Sequence, residues 1–200
     1  MAVISIKNKI KSGSLLAGNE FFELGDYESI ATANGTGSSS SITFSNIPQT
    51  YQHLQLRVTS RTTFGAVVDT MYAYNFNGST ASTNSATHLL YGNGTSPALN
   101  GSATGNYSAI LAYTTGANAL SNSYGTAVID FLDYSNTNKN KTIRGIFGWD
   151  DNGATSQATY LGIQSALPVA LGTGAITQMT VLFNGDITTP SSFALYGIKG

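Results

Sequence analysis

In QHLQLRVTSR, residues 52–61, Leu54, Leu56 and Val58 occupy every second position, with Gln55 and Arg57 between them and His53 just before. A β-strand repeats every two residues, so this spacing sends the apolar side chains to one face and His53, Gln55 and Arg57 to the other. The same period recurs in YESIATA (27–33), SITFSNI (41–47), VDTMYAYNF (68–76), HLLYG (88–92), YSAILAYTT (107–115), GTAVIDFLDY (125–134), KTIRGIFGW (141–149), TYLGIQSA (159–166), ITQMTVLF (176–183) and FALYGIK (193–199). Between these runs lie ANGTGSSS, NGSTASTNS, GNGTSPALNGSATGN, SNTNKN, DDNGATSQ and NGDITTPSS, which are turn and loop chemistry. No segment carries a 3.6-residue apolar face of helical length; LPVALGTGAI is apolar, but its proline and glycines break it.

Short strands separated by turns predict an all-β chain, a jelly-roll-like antiparallel β-sandwich or a related Greek key, over residues 26–200. GTAVIDFL is apolar on both faces and reads as a central strand covered on both sides. FALYGIK reads as a last strand ending in the core. Two hundred residues at 41% hydrophobic content are enough for one domain with a single core.

Residues 1–25 differ from this pattern and read as an extended N-terminal arm. Lys7, Lys9 and Lys11, one-third of the nine basic residues, fall within five positions, followed by Leu15 and Leu16 and then by Phe21 and Phe22. Lysines that meet an acidic surface and apolar residues that fill a groove would make this an assembly arm. Charged residues are only 10% of the chain, against roughly 25% in an average soluble protein. Nine basic residues against ten acidic ones argue against a nucleic-acid partner. So weakly charged a surface suits a chain packed beside many neighbours. No apolar run reaches the length of a membrane span, and no secretion signal is visible.

Catalytic chemistry finds few candidates. The chain has no cysteine and two histidines, His53 and His88, neither near a G-x-S-x-G elbow, so each reads as structural. Asp130 and Asp133 are separated by an odd number of positions and point to opposite faces of a regular strand, so they make no natural acid pair. Asp150, Asp151, Asn152 and Gly153 lack the spacing of a calcium loop and read first as a turn. No catalytic residue, metal site or cofactor is therefore expected. The possible ligand-binding group is Trp149 with Asp150, Asp151 and Asn152, where an aromatic platform would stack a sugar. Against that, Trp149 shares a strand face with Ile143, Gly145 and Phe147, the pattern of a core residue.

Three blocks, TFSNIPQTYQHLQLRVTSRT, AVIDFLDYSNTNKNKTIRGIFGWD and SSFALYGIKG, resemble recurring blocks of small virion structural proteins of tailed phages, especially phages of cyanobacteria and other aquatic bacteria. The SGSLLAGN arm is similar to a short N-terminal segment on such proteins. The resemblance runs from about Tyr27 onward and is weakest between Ala73 and Asn122. It implies a non-enzymatic virion component on the capsid surface, neck or tail. With the arm and the low charge, the expected partners are other virion proteins and further copies of the chain, a trimer favoured. A carbohydrate-binding module recognising a host-surface glycan is the alternative.

Overall fold

The computed structural model describes residues 27–78, 85–92, 96–104, 109–150 and 159–200, and these are all-β. Twelve strands follow in order: β1 (Tyr27–Asn34), β2 (Ser41–Phe44), β3 (His53–Ser60), β4 (Val68–Phe76), β5 (Ser85–Gly92), β6 (Pro97–Thr104), β7 (Ala109–Thr115), β8 (Gly125–Leu132), β9 (Thr142–Asp150), β10 (Thr159–Pro168), β11 (Met179–Leu182) and β12 (Ser192–Ile198). Among the described residues one 3-10 turn, Val169–Leu171, follows β10.

The strands form two antiparallel sheets, ordered β1-β12-β3-β8-β9-β10-β5-β6 and β2-β11-β4-β7. Setting aside β5, β6, β9 and β10 leaves β1-β12-β3-β8 opposite β2-β11-β4-β7, eight strands in jelly-roll order. The two remaining pairs, β5 with β6 and β9 with β10, are inserted between core strands and widen one sheet to eight strands. Its partner sheet stays at four. Leu54, Leu56, Ile129, Phe131, Phe193 and Leu195 of the wide sheet are fully buried with Met71, Leu111, Met179 and Val181 of the narrow one. In β3 this is the face that alternation assigns to the interior.

Two expectations are corrected. The run GNGTSPALNGSATGN, read as a loop, contains β6, which pairs with β5 from Gly92↔Pro97 to Ser85↔Thr104. Proline at its first position, with Asn100 and Gly101 inside, hides the strand from local propensity; an edge strand tolerates these residues because one side of its ladder is unpaired. GTAVIDFL is central in the sheet, between β3 and β9, but only one of its faces is covered.

The scarce charges mostly hold loops in place. The Arg61 guanidinium donates to the carbonyls of Ala117, Ala119, Leu120 and Ser123 at 2.7–3.1 Å, fixing the loop before β8. Buried Asp69 accepts from Thr62 Oγ1, from the backbone N–H groups of Thr70, Asn184 and Gly185, and from Asn184 Nδ2. Fully buried Lys141 donates to the carbonyls of Asn136, Lys139 and Thr173. Taking a charge out of water is costly unless hydrogen bonds replace its hydration, and each of these groups is multiply bonded.

Candidate functional site

The covered and uncovered faces of the wide sheet differ most around β9 and β10. On the covered side five aromatic residues meet. Trp149 stacks on Tyr160 (centroids 4.7 Å apart, planes 9° apart), and Tyr160 stacks on Tyr91 (5.5 Å, 14°). Tyr113 of β7 meets Tyr91, Phe147 and Tyr160 edge-on from the other sheet. Register produces the stack: Tyr160 pairs with Trp149, and Gly162 pairs with both Tyr91 and Phe147, leaving room for the rings to cross β10. Burial raises the phenol pKa values of Tyr113 and Tyr160, as expected for groups kept neutral in an aromatic core.

Trp149 is therefore 7% exposed and belongs to the core, as its alternation with Ile143 and Phe147 predicts. A sugar platform needs an open ring face, and this indole is enclosed with Tyr160 against one side. Asp150, at the end of β9, is exposed, while Asp151 and Asn152 lie outside the described residues. The arm residues Lys7, Lys9, Lys11, Leu15, Leu16, Phe21 and Phe22 also lie outside them.

The candidate acids do not converge. Asp130 projects from the uncovered face, where Oδ1 accepts from Gln55 Nε2 (2.9 Å) and Oδ2 from Arg144 Nε (3.2 Å). Gln55 Oε1 in turn accepts from Arg57 Nε (2.8 Å), and the Arg57 guanidinium lies over the rings of Tyr27 and Tyr196. One brace of hydrogen bonds and cation–π contacts thus runs from β1 to β9 across the outer face. Asp133 lies past the end of β8 in the left-handed region (φ 49°), paired with Lys139, whose ammonium pulls the carboxyl below the usual aspartate range. Its backbone N–H donates to His53 Nδ1 (2.9 Å), which gives that histidine a structural role. Among the described residues no three His, Asp or Glu side chains are grouped to hold a metal ion, and no helix is long and apolar enough to cross a membrane.

Beyond the brace the outer face turns apolar. Register places Val128, Ile146, Ile163, Leu90 and Leu99 directly opposite one another across β8, β9, β10, β5 and β6. Leu161 stands beside this row on β10. Leu99 is 84% exposed, Leu161 70%, Ile146 58%, Ile163 53% and Leu90 45%. Burying one such side chain fully stabilises by about 1.5–3 kcal/mol, so an open row of them is costly. Contiguous patches of this kind mark contact surfaces, whereas scattered exposed leucines do not.

Sequence reasoning did not identify this surface, although a signal was available. GTAVIDFL, TIRGIF, TYLGI and HLLY all carry large apolar residues on both strand faces. In GTAVIDFL the same signal predicts coverage from both sides, although one of the two faces is open. No protein-family model matches the chain, and no curated protein or solved structure is significantly similar to it.

Proposed function

We propose that the chain is a non-enzymatic structural protein of a phage virion, carried on the particle surface as a capsid-decoration, neck or tail-fibre component and anchored through residues 1–25. The observation that carries this reading is the open apolar row on the outer sheet face. A chain with 10% charged residues and five well-exposed leucine and isoleucine side chains on one flat face suits life against other protein. The likeness of its strand blocks to virion proteins of tailed phages supplies the kind of particle. The use of Asp130, Asp69, Arg61 and Lys141 as structural braces is consistent with binding as the mechanism.

Deleting residues 2–25 tests the anchor. The expected product is a soluble domain with the strand signature of the full chain in circular dichroism that is missing from purified particles when their proteins are counted by mass spectrometry. Incorporation equal to that of the full chain would remove the anchoring role. Absence of the full chain itself from purified particles would remove the virion assignment.

A further inference from the structure

The outer face of the inserted strands has a relief that fits itself. One row, Val128, Ile146, Ile163, Leu90 and Leu99, is tall along its whole length. The adjacent row, Thr126, Gly148, Leu161, Gly92 and Pro97, carries smaller side chains except at Leu161, whose Cδ1 leans over Gly148 to 3.3 Å from where a methyl group there would sit. A methyl group added to Gly92 would meet nothing within 4 Å, so this part of the low row is open space. Along β9 the outward positions read Arg144, Ile146, Gly148, Asp150, a cation at one end and an anion at the other.

We infer that this face is closed by a second copy of the chain, the two wide sheets packing face to face about a two-fold axis. The axis lies in the face, perpendicular to the strands, and crosses β9 between Ile146 and Gly148 and β10 between Leu161 and Ile163. This symmetry lays the tall row of each copy over the low row of the other. Ile146 falls over Gly148 of the second copy, Leu90 over Gly92, Leu161 against Ile163, and Arg144 towards Asp150. A two-fold interface must be complementary to itself, and here large apolar side chains meet glycine at β9 and β5 while Leu161 and Ile163 meet each other at β10 as one apolar pair. Twisted sheets that pack face to face diverge away from their point of closest contact, so the two copies meet most closely at β9 and β10 and the brace on β12 and β3, further along the axis, stays at the rim.

Area favours the same occupant. The five exposed side chains present on the order of 600 Å² of apolar surface, and two such faces with their rims reach the roughly 1,200 Å² at which stable interfaces begin. Nine basic and ten acidic residues leave a net charge of only −1, too little to drive two copies apart. The inference deepens the reading of the chain as an assembling structural protein, but it stands on the sheet face alone. A chain that dimerises in solution and never enters particles would keep the dimer and lose the virion role.

Sedimentation velocity of the full chain at micromolar concentration tests it, with a species of twice the 20.9 kDa monomer mass expected. Ile163→Lys should sediment as a monomer with unchanged circular dichroism and a cooperative thermal transition that no longer depends on protein concentration. A monomeric or trimeric wild type, or a dimer that survives Ile163→Lys, would overturn the proposal. The natural chain has no cysteine, so register can be read separately by mixing a Leu161→Cys variant with an Ile163→Cys variant. A bis-maleimide matched to the ~10 Å spacing of packed sheets should link the mixture several-fold more than either variant alone. Equal linking in all three samples would overturn the proposed axis.

Discussion

At the scale of single residues, Gly162 decides how the aromatic core is laid out. A methyl group there would lie 2.4 Å from Phe147 Cζ, so the missing side chain lets the Phe147 ring rest across β10. Gly162→Ala should destabilise by about 1–3 kcal/mol, the usual cost of overpacking, read as a lower denaturation midpoint. An unchanged midpoint would mean that the ring moves aside freely. Asp133 makes a pH-dependent contribution. Its folded-state pKa is depressed by Lys139, so the stabilisation is fully present above the unfolded aspartate value of about 3.9 and is lost as pH falls through the folded value. Asp133→Asn should therefore melt below wild type near neutral pH, and the gap should narrow steadily as pH falls below about 3.9. A gap that does not narrow on acidification would assign the loss to altered turn geometry instead. The core position of Trp149 was legible because Ile143, Phe147 and Trp149 share a parity. Its stack on Tyr160 was not, because register across a hairpin is not written in either strand alone.

At the scale of elements, β12 closes the jelly roll. It lies between β1 and β3 and buries Phe193 and Leu195, so it is an interior strand, second from the edge of its sheet. Removing residues 192–200 would strip two ladders and open the core beneath β3; no cooperatively folding product is expected, as judged by loss of the thermal transition in circular dichroism. A truncated chain with a sharp transition would show that β1 can pair with β3 directly. Most strands are legible from alternation alone, and FALYGIK packs into the core as its sequence predicts. The exception, β6, shows the limit of that reading: PALNGSAT carries little strand propensity and takes its conformation from pairing with β5.

At the scale of the molecule, protection should follow position in the sheets. Amides of β3, β8 and β12, paired on both sides above the buried cluster, should exchange slowest, and those of the edge strand β6 should exchange earlier, as hydrogen exchange read by mass spectrometry will show. Equal protection across the wide sheet would mean that the insertions fold as one unit with the jelly roll. A two-fold contact on the inserted strands would leave the trimer favoured from sequence to form only through other surfaces. The sequence by itself determined the all-β class, the parity of every strand that alternation reveals and therefore which residues share a face. These are local properties, because a side chain's direction depends only on its position along its own strand. Which of two apolar faces meets a second sheet is a non-local matter. It depends on two insertions widening one sheet to eight strands while the sheet that covers it has only four. Only the tertiary structure could decide that Ile146, Ile163 and Leu90, apolar like the core residues beside them, would be left facing outward.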